Sequence, residues 1–292
     1  MFDTVLVGID EYGRGRDAIA LAQRLVSPRG KLIFANVHPG YASLGKGDNG
    51  EFEAVERGLA LGLLNAVIRD SGVRAEARCL GADRIGNGLH RLAESTGADL
   101  LVLGSSHEGQ HGRVWLRDAV RRAINGAPCA VAVAPLAYAD LGTPITQIGI
   151  AYNGSEESRV ALAAGSALAD DLHATATVFE ALVPPLFDGQ PEAAEVMIRE
   201  FERTARERIT DETGLGACTA AGDAVEELAL FSGSVDLLIV SSRDFGPIGR
   251  LVHGSTTHGL LGYARSPLLI LNRAARSRAA GPAGPRIPAV AA

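Results

Sequence analysis

The sequence predicts an α/β protein made of two tandem copies of one unit, each a five-stranded parallel sheet with helices on both faces. Three observations lead there. Apolar runs such as Leu100-Leu101-Val102-Leu103 do not alternate with polar residues, as expected of strands covered on both sides. Such runs alternate with longer segments of helical periodicity, the order of a parallel sheet with right-handed crossovers. The chain also repeats itself. Asp99-Leu100-Leu101-Val102-Leu103-Gly104-Ser105-Ser106 returns as Asp236-Leu237-Leu238-Ile239-Val240-Ser241-Ser242-Arg243, and the register holds through Gly112/Gly249 and Ala127/Ala264 to Val133/Ile270.

In the first unit, Thr4–Ile9, Lys31–Val37, Val73–Leu80, Asp99–Gly104 and Ala130–Ala134 read as strands. Arg14–Val26, Glu51–Asp70, Asp83–Thr96 and Arg117–Asn125 read as helices between them. The second unit repeats this order, with strands at Gln147–Ala151, Thr175–Ala181, Leu215–Ala221, Asp236–Val240 and Leu268–Leu271. Its helices are Glu156–Asp170, Glu192–Thr213, Ala224–Ser232 and Gly254–Ala264. The offset between copies shortens after the second strand, so the first copy carries extra residues there, and the Gly-rich Tyr41–Gly50 is the natural place for them. These readings put one domain at residues 1–138 and a second at 145–273, with Ala137–Pro144 as the linker. Residues 274–292, mostly Ala, Pro, Gly and Arg without apolar period, are expected to form a disordered tail.

A chain of 292 residues suits two domains of ordinary size, and 47% hydrophobic with 21% charged residues is a globular composition. The net charge of −6 argues against a nucleic-acid partner held by charge. No stretch has the apolar length of a membrane span, and Met1-Phe2-Asp3 does not open a signal region, so a soluble cytoplasmic protein is expected. Cys79, Cys129 and Cys218 are too scattered for a disulfide framework or zinc site, and all three read as buried, reduced thiols.

In an open parallel sheet, ligands sit beyond the carboxyl ends of the strands, where the direction of connection switches. Two turns in each unit qualify. The first follows the first strand: Gly8-Ile9-Asp10 in one copy, Ala151-Tyr152-Asn153-Gly154-Ser155 in the other. Asp10 or Asn153 could accept a hydrogen bond from a base amino group, or could cap the following helix. The second follows the fourth strand. In the second unit it runs from Ser241 through Gly246 and Gly249 to Gly254-Ser255-Thr256, where glycines let backbone N–H groups approach an anion and a helix N-terminus favours phosphate. A turn glycine followed by a capping serine is the alternative reading of the same residues.

Taken together, these features resemble the universal stress protein family in its tandem two-domain form. The resemblance spans about residues 3–273 and rests on Val5-Leu6-Val7-Gly8-Ile9-Asp10, Leu101-Val102-Leu103-Gly104-Ser105-Ser106-His107 and Gly126-Ala127-Pro128-Cys129-Ala130-Val131-Ala132-Val133. In the second unit it rests on Ile150-Ala151-Tyr152-Asn153-Gly154-Ser155 and Gly254-Ser255. It implies a Rossmann-like, adenine nucleotide alpha hydrolase-like fold and an ATP-binding, stress-responsive sensor or regulator. ATP-binding members carry G-x2-G-x9-G-[S/T] after the fourth strand and an Asp after the first strand facing adenine; an apolar residue ending the second strand, Val37 here, touches the base. The resemblance thus marks Asp10, Val37, Gly104, Ser105, Asn153, Ser241, Gly246, Gly254, Ser255 and Thr256 for ATP, with or without magnesium.

Each copy departs from that pattern differently. In the first, His107 stands at the second glycine, and Arg117-Asp118 replace the final Gly-Ser, which places a carboxylate where phosphate should lie. In the second, Ser241 and Asp244 replace the first two glycines, and Asn153 the adenine-facing Asp. A nucleotide-independent module that binds a protein partner through these altered loops therefore stays open. Gly40-Tyr41-Ala42-Ser43-Leu44-Gly45-Lys46 has P-loop spacing, but Gly47 replaces the magnesium-binding Ser or Thr. His107, His111, His253 and His258 match no metal motif, and no Gly-x-Ser-x-Gly elbow is present. No catalytic residue is assigned, and at most slow ATP hydrolysis is expected. The resemblance also implies an internal pseudo-dimer and association through last strands, for which Ala130–Ala134 and Leu268–Leu271 are the candidates, whether within one chain or in a homodimer.

Overall fold

A computed structural model describes residues 1–10, 15–40, 50–106, 110–116, 121, 123–183, 191–241 and 256–272. The expected disordered tail, the P-loop-like segment beyond Gly40 and most of the helix expected at Arg117–Asn125 lie outside them. The first half contributes β1 (Phe2–Gly8), α1 (Arg16–Leu25), β2 (Val26–Pro39), α2 (Gly50–Ser71), β3 (Ala75–Ala82), α3 (Ile85–Thr96), β4 (Leu100–Gly104) and β5 (Ala130–Ala134). The second contributes β6 (Gln147–Ala151), α4 (Glu156–Leu172), β7 (Thr175–Leu182), α5 (Pro191–Thr213), β8 (Gly216–Ala221), α6 (Ala224–Phe231), β9 (Leu237–Ser241), α7 (Thr256–Tyr263) and β10 (Leu268–Leu271).

The strands form one ten-stranded sheet in the order β3-β2-β1-β4-β5-β10-β9-β6-β7-β8. Pairing is parallel within each half. At the seam β5 and β10 pair antiparallel, Leu268 opposite Val133, Leu269 opposite Ala132 and Ile270 opposite Val131. The two candidate edge strands therefore satisfy each other inside the chain, and neither is left open for a second copy. Period-two alternation carries both cores across the seam. Val131, Val133, Leu268 and Ile270 join one layer with α3, α6 and α7, and Ala132 and Leu269 join the other with α1, α2 and α4.

Local sequence explains the element ends. α1 buries Ala18, Ile19, Leu21, Ala22 and Leu25, an apolar face at helical spacing. α3 stops at Gly97, whose left-handed φ of 66° lets its N–H reach the Ala93 and Glu94 carbonyls. α6 starts at Asp223, whose carboxylate accepts from the Val225 and Glu226 amides. Most boundaries fall within two residues of expectation, β3 for instance at Ala75–Ala82 rather than Val73–Leu80, and one differs by more. β2 begins at Val26 rather than Lys31, because Phe2 pairs with Val26 and the register then shifts so that Thr4 pairs with Lys31. The irregularity accommodates Pro28, which has no N–H for the ladder. Cys218 also differs: it is exposed, because β8 is an outer strand, whereas Cys129 is buried and Cys79 half-buried.

The aspartate that opens each repeat is structural. Asp99 accepts from the Asp3 and Thr4 amides at 2.8 and 3.0 Å, tying β4 to the start of β1. Asp236 repeats this on β6, accepting from the Thr146 amide and hydroxyl and from the Gln147 amide at 2.7–2.9 Å. Both lie at the amino ends of the strands, away from the ligand turns. Burial works to raise the Asp236 carboxyl, but these donors and the Arg24 charge outweigh it and hold it below the ordinary value. The linker is fastened by Asp17, which accepts from the Ala137 and Ala139 amides at 2.9 and 2.8 Å, and Tyr138 lies under the Arg24 guanidinium, 4.5 Å from the ring centroid.

Across the seam, the buried Asn272 amide donates to the Ala127 and Cys129 carbonyls, both at 2.7 Å. Asn272→Ala is expected to cost about 2–3 kcal/mol, because two buried acceptors lose their donor; a urea melt would read it as a lower midpoint at unchanged slope. Asp236→Ala is expected to cost about 1–2 kcal/mol near neutral pH. A lowered native value means that this stabilisation is complete above the ordinary 3.8 and is lost as pH falls through the native value. Melts of wild type and variant should therefore converge in acid.

Candidate functional site

The strand order places a switch point between β1 and β4 in the first half and between β6 and β9 in the second. Because β5 and β10 run antiparallel, the two switch points open at opposite edges of the sheet. In the first half the turn beyond β1 is held by β2: the Ile9 amide donates to the Ala35 carbonyl at 2.8 Å, and the Asn36 side chain donates to the Ile9 carbonyl at 2.8 Å. Asp10 stands exposed just past this anchor. Val37, near the end of β2, is half-buried against α3, where Gly88 makes room for it. A Cβ at Gly88 would lie 2.5 and 2.8 Å from the two Val37 methyls. The structure thus brings Asp10, Val37 and Gly104 to the carboxyl edge of neighbouring strands.

Ser105 has a different employment. Its hydroxyl donates to the Ala134 carbonyl at 2.8 Å and accepts from the Trp115 amide at 3.1 Å, while its own amide donates to Ala134 at 2.9 Å. The described amides of the loop it begins find acceptors within the protein. The Ser106 amide donates to Trp115, the Gly112 amide to Leu136, the Arg113 amide to Gln110, and the Val114 amide to Ala264 of the second half. A phosphate cradle needs free N–H groups. Here those of Ser105, Ser106, Gly112, Arg113, Val114 and Trp115 are all spent on the protein itself. His107, Arg117 and Asp118 lie outside the described residues.

In the second half, the Tyr152 amide donates to the Phe179 carbonyl at 2.9 Å, the counterpart of Ile9 and Ala35. Asn153 is exposed, and its side-chain oxygen accepts from the Ser155 amide at 3.2 Å. Ser155 is the residue that caps α4, accepting from the Ser158 amide at 3.2 Å, so Asn153 orders the turn and leaves the capping to Ser155. Ser241, half-buried, ends β9 opposite Leu271. Thr256 opens α7 and is half-buried, and α7 sits close on α6, with Gly259 against Val225. Gly246, Gly254, Ser255, Asp244 and His253 lie outside the described residues.

Sequence reasoning missed the group behind Asn153. The buried Tyr152 ring packs on Val178 and Ile209, and its hydroxyl donates to Glu212 at 2.5 Å. Arg159 also donates to Glu212, at 3.2 Å. The Tyr152 hydroxyl first, then Arg159 and Arg208, hold the Glu212 carboxyl below its usual value; burial and Glu212 push the Tyr152 phenol up. The only signal in the sequence was a tyrosine where the first copy has Ile9. Burial pushes the Cys79 thiol up despite the nearby Arg57, the opposite of an activated thiol. Among the described residues no cluster of His, Cys, Asp or Glu could hold a metal ion.

The sheet order and paired switch points define a tandem, doubly wound α/β protein of the Rossmann-like class. A model described as the universal stress protein family matches the chain twice, over residues 1–135 and 144–272. The chain belongs to that family. A universal stress protein from Archaeoglobus fulgidus DSM 4304 shares the fold at TM-score 0.60 and 12% identity, covering 92% of this chain and 98% of its own. A functionally unknown protein from Pseudomonas aeruginosa PAO1 does so at TM-score 0.62 and 16% identity, covering 95% of each chain. A universal stress protein from Archaeoglobus fulgidus solved in complex with dAMP aligns to 45% of this chain and 97% of its own, at 18% identity and TM-score 0.34. Comparison with curated proteins finds no match.

Gly88→Ala is expected to cost about 1–3 kcal/mol by overpacking against Val37. Methyl NMR should show the Val37 resonances displaced together with a lower melting midpoint; unchanged Val37 shifts would contradict the packing described.

Proposed function

We propose that the protein is a cytoplasmic stress-response sensor that binds an adenine nucleotide, ATP foremost, at the carboxyl ends of β6 and β9. Family membership supports the ligand class. The contrast between the two fourth-strand loops supports the choice of half, and it carries the reading: the described amides of the first loop donate within the protein, whereas the second loop keeps Gly254-Ser255-Thr256 leading into α7. In this reading Asn153 orients the base, Ser241 leaves room beside it, and Thr256 with the first turn of α7 receives phosphate. The role is binding rather than catalysis, with ATP hydrolysis at most slow. No helix among the described residues is long and apolar enough to cross a membrane.

A second reading, a nucleotide-independent module that engages a protein partner, draws on the first-half loop, where Trp115 is exposed above a backbone already satisfied. Calorimetric titration with ATP, with and without magnesium, separates the two. The expected outcome is one site per chain, with Thr256→Val weakening it by about tenfold or more, as for a hydrogen bond to a charged group. No heat at millimolar nucleotide from folded protein would overturn nucleotide binding and favour the partner reading.

A further inference from the structure

The first-half loop, whose described amides from Gly112 to Trp115 donate within the protein, reaches into the second half. Its Val114 amide donates to the Ala264 carbonyl at 2.9 Å, immediately past the last residue of α7. Arg121 reaches the same end, donating through Nη2 to the Leu261 carbonyl at 3.4 Å and through Nε to Leu116 of its own loop at 3.1 Å. Its guanidinium lies 6.0 Å from the centroid of the Trp115 ring. Gly262 of α7 lies beside both: a Cβ there would be in ordinary contact with Arg121 Nη2 at 3.5 Å and Trp115 at 4.0 Å. Beneath, Val114 and Leu116 are buried in the same layer as Leu260, Leu261 and Ala264. The last carbonyls of a helix have no partner within it, and a cation there complements the dipole. The first half supplies both.

The opposite end of α7 is Thr256. With eight residues α7 is only about 12 Å long, short enough to move as one body. Its amino end belongs to the ligand edge of the second half. Its carboxyl end lies at the opposite edge, where the antiparallel seam brings the fourth-strand loop of the first half.

We propose that residues 110–116 and Arg121 form a clasp on the carboxyl end of α7 that sets the affinity of the second-half site. This rests on the nucleotide reading above and adds its regulation. Holding one end of a short helix removes part of the motion that ligand binding at its other end must freeze, so the clasped helix binds more tightly. Coupling is reciprocal: nucleotide at Thr256 must in turn strengthen the hold on Val114. Arg121 and Trp115 are positioning residues that never touch the ligand. A signal that engages the exposed Trp115 would then change nucleotide affinity from the far edge of the sheet.

The test combines calorimetry with hydrogen exchange on the full chain, as wild type, Arg121→Ala, Arg121→Lys and Trp115→Ala, with ATP as the probe. Arg121→Ala and Trp115→Ala are expected to weaken ATP by on the order of five- to tenfold, the low end of typical coupling, with Arg121→Lys recovering part of the loss. In wild type, ATP should slow exchange across 110–116 as well as 256–264. Variants with wild-type affinity, together with no ATP-dependent change at 110–116, would overturn the clasp while leaving nucleotide binding in place. No ATP binding by wild type would overturn both, and is told apart by the absence of heat before any variant is made. Should Arg121→Ala fail to fold, the exposed Trp115→Ala and the wild-type exchange pattern decide alone.

Discussion

The antiparallel pairing of β5 with β10 is the constraint on which the rest of the molecule depends. Each half ends in a short strand of purely apolar residues, Ala130–Ala134 and Leu268–Leu271. Alone, either would be an open edge with unsatisfied backbone groups and two apolar faces. Joined, they satisfy each other's ladder and merge two five-stranded sheets into one, so that each helix layer covers a core continuous across both halves. The outer edges fall instead on β3 and β8, and at β8 the Glu202 carboxylate accepts from the Ala221 amide while its carbonyl accepts from the Thr219 hydroxyl.

The same pairing sets the functional geometry. Antiparallel halves turn their carboxyl ends in opposite directions, so the two ligand turns share no cleft. What meets across the seam is a ligand-side loop of one half and the far end of a helix from the other. Contacts in the two directions are chemically unlike: Val114 gives a backbone amide to Ala264, while Asn272 gives a side-chain amide to Ala127, the position matching Ala264. Copies that began alike thus differ at the seam: one gives a backbone amide from its fourth-strand loop, the other a side-chain amide from just past its last strand.

Much of the architecture was legible in the sequence, because buried parallel strands and amphipathic helices leave strong apolar patterns. Ala130–Ala134, Gln147–Ala151 and Leu268–Leu271 fall where those patterns put them. The first five residues of β2, Val26 to Gly30, carry no strand pattern because they are mostly polar and contain a proline; only pairing with Phe2 makes them part of the strand. Asp99 and Asp236 open the two copies of the repeat, and they tie strands together at the end away from the candidate ligand turns. Candidate site residues were legible as positions rather than as roles. Asp10, Val37 and Gly104 converge on one edge, but Ser105 spends its hydroxyl on Ala134 and Trp115, and Asn153 turns its oxygen to Ser155.

What the sequence determined by itself was the repeated unit, its class and its family, because these rest on residue periodicity and local motifs that any neighbour-blind reading can see. What only the tertiary structure decided was which hydrogen-bonding groups remain available. Whether the amides of a glycine-bearing loop can take a phosphate depends on acceptors far away in the chain. For Val114 that acceptor is the Ala264 carbonyl, brought within 2.9 Å by the strand pairing at the seam.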